Sequence, residues 1–305
     1  MPELPEVETI RRQLAPVVEG RVLERLDVLD ERWCRPLSPD GLAAAVQGRR
    51  VERLVRRGKY LMWELEGEAF LLVHLRMTGT LLWEPPEEHP PHARVRFALA
   101  GGGRLVFCDP RRFGTGELAL GTDARDAFLA ARLGVEPLGP EFTAERLRAL
   151  ARGRRAPVKA FLLDQTKLAG VGNIYADEAL FRARIHPLRP VGSLRGPQLA
   201  ALRDAVVAAL EAGIAAGGAT IDDFRHADGV RGAFQDEMLV HTRAGQPCPA
   251  CGQGVVKFVA AGRGTYACER CQRPPARRRA REARAAGRSG RPPRSPGSRR
   301  AADRR

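Results

Sequence analysis

The hydrophobic period of this chain changes once, near Gly121, and that change limits the folds open to it. Up to about Leu120 the apolar residues alternate or run in short blocks: RVLERLDVLD, RRVERLVRRGKYLMWELEG, AFLLVHLRMTGTLLWE and ARVRFALAGGGRLVFCD. Such blocks read as strands, and the glycines at 101–103 mark the last pair as a hairpin. Several short strands with regular turns predict a β-sandwich or barrel. Beyond Gly121 the period becomes 3.6, predicting helices over 123–133, 143–151, 158–163, 174–183 and 197–216. Breaks at Gly139, Gly170, Gly172 and Pro187 separate them. One helix precedes the strands. Pro5 suits a first helical turn, Glu6 and Glu8 sit near its positive end, Val7, Ile10 and Leu14 share a face, and Gly20 stops it.

Composition excludes several classes. At 44% hydrophobic the chain can build cores, so wholesale disorder is ruled out. The longest apolar stretch, 69–83, contains His74 and Arg76 and is too short to span a bilayer. The opening MPELPEVE is acidic and lacks the basic and apolar regions of a secretory signal, so a cytoplasmic protein is expected. The net charge of +15 is unevenly placed. Residues 274–305 hold twelve Arg against Glu282 and Asp303, a net +10, and the other 273 residues carry only +5. That tail has no Leu, Ile, Val or aromatic residue, so it is expected to be disordered and drawn to polyanions. Of 51 basic residues only Lys59, Lys159, Lys167 and Lys257 are lysines. Lysine can lose its proton near neutral pH when its surroundings depress its pKa, whereas arginine cannot.

Four of six cysteines form a pattern: Cys248-x2-Cys251, sixteen residues, then Cys268-x2-Cys271. Two such knuckles can set four thiolates around one zinc ion, and the spacer GQGVVKFVAAGRGTYA reads as the hairpin of a zinc ribbon. Cys34 and Cys108 lie far away and read as ordinary semi-buried thiols.

Loss of the initiator Met before a small residue would leave Pro2 as the N-terminus. A free α-amino group titrates at about 7.7–8, so an appreciable fraction is unprotonated at neutral pH. A secondary amine attacking an aldehyde gives a cationic iminium, an electron sink for Schiff-base catalysis, and Glu3 beside it can carry protons. On spacing alone the same residues read rather as helix-entry punctuation.

The opening MPELPEVETIRRQL, together with RRGKYL, HLRMTG, DPRRFG, GVGNIYADEALF and the cysteine pattern, resembles the formamidopyrimidine-DNA glycosylase / endonuclease VIII family over residues 1–273. Leu4 places the likeness with the formamidopyrimidine branch, since the endonuclease VIII branch typically has Gly there. The resemblance implies an α+β, multidomain chain: an N-terminal helix plus β-sandwich over 1–132, a helical domain with a helix–two-turns–helix element over 133–237, and a zinc ribbon over 238–273 holding one structural Zn2+. It implies a monomeric, nucleoid-associated bacterial enzyme acting on double-stranded DNA that contains oxidised bases or abasic sites. Oxidised purines would be excised and the strand then nicked by β,δ-elimination. The alternatives are specificity for oxidised pyrimidines, or a catalytically silent damage binder.

The resemblance also assigns roles. Pro2 matches the nucleophile at C1′, Glu3 the acid/base, Lys59 the lysine of β-elimination, and Arg263 a phosphate-binding arginine used in δ-elimination. Glu6 is expected to support the helix terminus. Asn173 matches a phosphate contact at a helix start. Met77, Arg111 and Phe113 match the three residues that fill the gap left by an extruded base. His92 and Arg154 match further DNA contacts, although Arg94 stands where the family's second His is usual. Arg56 and Arg57 read as a solvated basic strand face. Lesion recognition is expected from a loop within 216–234.

Overall fold

The computed structural model describes residues 1–85, 87–220 and 225–276. The expected tail lies outside these residues beyond 276, as does part of the expected lesion loop, 221–224. Helix α1 (Leu4–Val18) is followed by eight strands: β1 (Leu23–Val28), β2 (Val51–Arg57), β3 (Tyr60–Leu65), β4 (Ala69–His74), β5 (Thr80–Trp83), β6 (Ala93–Leu99), β7 (Arg104–Cys108) and β8 (Thr115–Leu120). They form two four-stranded antiparallel sheets, ordered β1-β6-β7-β5 and β2-β3-β4-β8. The expected sandwich is present, and β6 and β7 turn across three glycines with positive φ.

Alternation along β3 explains why all its residues but Glu64 are buried. Leu61, Trp63 and Leu65 face the other sheet, while Tyr60 and Met62 face α3 (Thr122–Ala130) through Phe128 and Leu129. Trp63 stacks on Phe97 with ring centroids 5.2 Å apart. The face of α1 formed by Val7, Ile10, Leu14 and Val18 closes the same core. Its first residue, Leu4, belongs instead to the core of the helical part. The helix therefore enters both cores.

Helix α2 (Pro39–Val46) is an addition to the strand-patterned half that periodicity does not predict. Ser38 caps it by accepting from Gly41 N at 3.1 Å, and Pro39 takes the first helical position. Its buried residues are only Leu42 and Val46, set among alanines, so they trace no distinct apolar stripe.

The helical part contains α4 (Ala144–Ala151), α5 (Val158–Leu163), α6 (Asn173–Arg182) and α7 (Gly196–Ala215). Expected and observed ends of these four differ by a residue or less. Helix α3 stops three residues short of the expected end, where Leu133 turns in against the outer face of the second sheet. Strands β9 (Val256–Ala260) and β10 (Arg263–Ala267) form the cysteine-bearing hairpin.

Gly116 in β8 is fixed by sterics, because a Cβ there would lie 2.0 Å from the Trp33 indole. Gly116→Ala is expected to cost about 1–3 kcal/mol through overpacking. Urea unfolding would read this as a lowered midpoint at unchanged slope, and an unchanged midpoint would contradict the packing.

Candidate active site

The N-terminal segment reaches across to the start of α6. Pro2 and Glu3 are both buried. Glu3 Oε1 accepts from Ile174 N at 3.0 Å, and Oε2 lies 3.5 Å from Tyr175 N, so the carboxylate faces the bare amides of the helix start. A Cβ on Gly172 would come within 2.2 Å of the Glu3 carboxyl carbon, so only glycine lets the two meet. Leu4 N donates to Gly170 O at 3.1 Å, which fixes the approach.

Glu6 supports this geometry, as expected. Its Oε1 accepts from the Tyr175 hydroxyl and from Ala219 N, both at 2.7 Å, and its Oε2 accepts from Glu3 N at 2.7 Å. Burial, with Glu3 close by, raises its pKa above the ordinary carboxyl value.

Lys59 sits in the tight turn between β2 and β3 and is 4% exposed. Among the described residues its Nζ makes no hydrogen bond or ion pair. Burial pulls its pKa down, Glu3 and Glu6 pull it up, and Arg263 adds to the depression. Glu3, Glu6 and Arg263 are therefore close enough to this amine to act on its charge. His74 lies beside it. Burial, then Arg76 and Lys59, lower the His74 pKa to about 3, and its Nδ1 accepts from Arg76 N at 2.9 Å. His74 is therefore a neutral acceptor at working pH.

Arg56 and Arg57 are not a solvated face. Arg56 bridges Glu8 at 3.2 Å and Glu136 at 2.6 Å, and Arg57 reaches Glu136 at 2.6 Å. Gly58 N also donates to Glu136 Oε2, at 2.9 Å. The turn carrying Lys59 is thus fastened to the helical part, by a carboxylate some 80 residues away that no local pattern could reveal.

The ribbon is held against α6. Asn173 Nδ2 donates to Gly264 O at 3.0 Å, while its Oδ1 is buried without a partner among the described residues. Lys159, fully buried, pairs with Asp177 at 2.7 Å and donates to Thr265 Oγ1 at 2.9 Å; Asp177 also meets His241 Nδ1 at 2.9 Å. Glu178 accepts from the backbone N–H groups of Leu239, Val240 and His241. Sequence reasoning marks Lys159 only as a rare lysine and misses its partners. Arg263, at the exposed ribbon tip, has a guanidinium with no partner among the described residues.

Cys248, Cys251, Cys268 and Cys271 place their sulfurs within 4.8 Å of one another, with close pairs at 3.4 and 3.9 Å. Tetrahedral zinc with Zn–S near 2.3 Å needs S–S edges of roughly 3.8 Å. The four thiolates fit a structural Zn2+ site. Cys34 and Cys108 are both buried, and burial pushes the Cys108 thiol up to about 11.

A second group lies on the sandwich. Met77 is half-buried in the turn after β4, and His92, Arg111 and Phe113 are exposed on the loops flanking β6 and β7. The Arg111 guanidinium lies 4.9 Å from the Phe113 ring centre. Arg154 stands apart, in the loop between α4 and α5, bonded through Nε to Leu150 O at 2.6 Å.

This arrangement has known counterparts. Residues 1–116 match the formamidopyrimidine-DNA glycosylase N-terminal domain, 133–225 its H2TH domain, and 245–274 the zinc finger found in FPG and IleRS. The formamidopyrimidine-DNA glycosylase of Roseiflexus sp. is 45% identical over 277 residues, covering 90% of this chain and all of that protein. The enzyme of Paracoccus denitrificans is 46% identical over 285 residues, covering 89% of this chain and all of that one. The crystal structure of MutM (FPG) from Thermus thermophilus superposes with a TM-score of 0.80 at 44% identity, covering 89% of this chain and 98% of that one. A Lactococcus lactis FPG mutant in complex with Fapy-dG-containing DNA gives 0.83 at 33%, covering 90% of this chain and all of the other. The chain belongs to the formamidopyrimidine-DNA glycosylase family of DNA glycosylases.

The ribbon core is built from Cys248, Cys268, Phe181, Val240 and Val255, so metal and packing are coupled. Cys248→Ser is expected to lower zinc below one per chain and to weaken DNA binding at least tenfold, because the hairpin carries Arg263. Metal analysis with a binding titration checks this, and full binding by zinc-free protein would contradict it.

Proposed function

We propose that the chain is a bifunctional base-excision-repair enzyme that removes 8-oxoguanine and formamidopyrimidines from double-stranded DNA and then nicks the strand. One observation carries the reading: the buried Glu3 carboxylate, next to Pro2, is seated on the α6 N-terminus, close enough to the buried amine of Lys59 to act on its charge. The solved Lactococcus lactis relatives bound to Fapy-dG and abasic-site DNA support the substrate class. The division into 1–132, 133–237 and 238–273, and a working place on nucleoid DNA in the bacterial cytoplasm, belong to this reading.

With Met1 in place the Pro2 nitrogen is an amide, so its removal is the first requirement. The freed nitrogen attacks C1′ as the N-glycosidic bond breaks and the base leaves. Glu3 takes the proton that the attacking amine releases and passes it to the ring oxygen, so that the C1′–O4′ bond breaks and the sugar opens to an iminium. Lys59, whose charged form burial disfavours, draws a proton from C2′, and the 3′ phosphate departs. Arg263 and Asn173 hold phosphates during this step and the later loss of the 5′ phosphate. Holding two reactive groups on one deoxyribose is worth several orders of magnitude in effective concentration. Met77, Arg111 and Phe113 occupy the gap in the duplex, with His92 and Arg154 as backbone contacts. The zinc ion holds the ribbon in shape and takes no part in the steps.

A further Lactococcus lactis structure contains an oxidised pyrimidine, so thymine glycol belongs in the lesion panel. Borohydride trapping on abasic-site DNA tests the mechanism. Native protein is expected to give a covalent adduct, and protein with an uncleaved extension before Pro2 is expected to give less than about a hundredth of it. Full trapping by the extended protein would remove Pro2 as the nucleophile, and no trapping by the native form would favour a silent binder.

A further inference from the structure

At the centre of the loops that carry Met77, Arg111 and Phe113 lies one carboxylate that the chemistry above does not use. Asp109, just beyond β7, is fully buried. Its Oδ2 accepts from Phe113 N at 2.8 Å and Gly114 N at 2.7 Å. Its Oδ1 accepts from Arg111 N at 3.1 Å and from the Thr78 hydroxyl. The backbone of the same residue donates to His92 O at 3.0 Å and accepts from Arg94 Nε at 2.9 Å. The carboxylate forms no ion pair among the described residues, so donors from two separate loops share the task of stabilising it.

That arrangement matters because the exposed side chains have little packing of their own. Arg111 is exposed and Phe113 is 51% exposed, resting mainly on each other. Their direction is set by backbone amides bonded to Asp109. Met77 precedes Thr78, whose hydroxyl crosses from the first loop to the second. A buried carboxylate is costly unless its acceptor sites are filled, so neither loop can leave without penalising the other.

We infer that Asp109, acting through Thr78, is a positioning residue that locks the two loops into one rigid wedge, so that Met77, Arg111 and Phe113 enter a duplex together. The inference rests on the glycosylase reading above. Its consequence is selective: rigidity matters where a stacked, paired base must be forced out, and matters less where the lesion is already unstacked.

The test uses full-length, zinc-loaded wild type, Asp109→Asn, Thr78→Val and Thr78→Ser. Single-turnover excision is followed on 8-oxoguanine paired with cytosine, and on the same lesion in a one-nucleotide bulge. Loss of a buried acceptor or of the crossing bond should slow the paired substrate roughly tenfold in Asp109→Asn and Thr78→Val. The bulged substrate should lose several-fold less, and Thr78→Ser should restore the rate. Thr78→Val leaves three of the four donors in place, so it decides the matter even where Asp109→Asn fails to fold. No loss in Thr78→Val, equal loss on both substrates, or failure of serine to rescue would overturn the inference. Wild type that excises the lesion from neither substrate would overturn the glycosylase reading and this inference with it.

Discussion

The proposed active site depends on one contact: the Glu3 carboxylate seated on the exposed amides of the α6 N-terminus. Burying a carboxylate costs several kcal/mol, and a helix terminus returns at most about 2 kcal/mol in a partly buried setting. The remainder comes from direct hydrogen bonds and from the nearby amine of Lys59. The contact is long-range, joining residue 3 to residue 174, and it aligns the sandwich with the helical part. The buried Lys59 turn, bound to Glu136, and the ribbon tip, bound to Asn173, are referred to the same two bodies.

The ribbon follows a similar logic at one remove. A buried lysine, an aspartate and a histidine form a chain from α5 through α6 to the segment before the knuckles. Such a chain adds little net stability over an apolar core, but breaking one member leaves an uncompensated buried charge. Its effect is to fix one orientation of the hairpin. Zinc shapes the ribbon, and Asp177 and Glu178 decide where it points.

The sequence discloses what periodicity and spacing can carry. The strand-to-helix change, the terminal helix, the glycine hairpin and the four-cysteine site are all legible, because each is written within a few dozen consecutive residues. Helix α2 escapes a reading by period although Ser38 and Pro39 announce it, since Leu42 and Val46 alone, among alanines, trace no stripe. The pairing of Arg56 and Arg57 with Glu136, and of Lys159 with Asp177, leaves no local trace, so the pattern suggests a solvated face where a half-buried clamp exists. Motif likeness rather than geometry names the site residues. The helix terminus that stabilises Glu3, and the Asp109 hub beneath the exposed loops, require the fold.

Gly172 decides whether the Glu3 contact builds the proposed active site. A methyl group there would meet the far end of the flexible Glu3 side chain, 2.2 Å from its carboxyl carbon, rather than backbone. The φ of −129° suits alanine, so the fold should tolerate the change while the carboxylate moves. The decisive measurement is single-turnover base excision by Gly172→Ala, paired with its thermal midpoint. A displacement of about 1 Å can cost roughly a hundredfold in rate, and that loss with a nearly unchanged midpoint is the predicted result. Wild-type excision by a folded Gly172→Ala protein would show that the Glu3 contact with α6 does not build the active site.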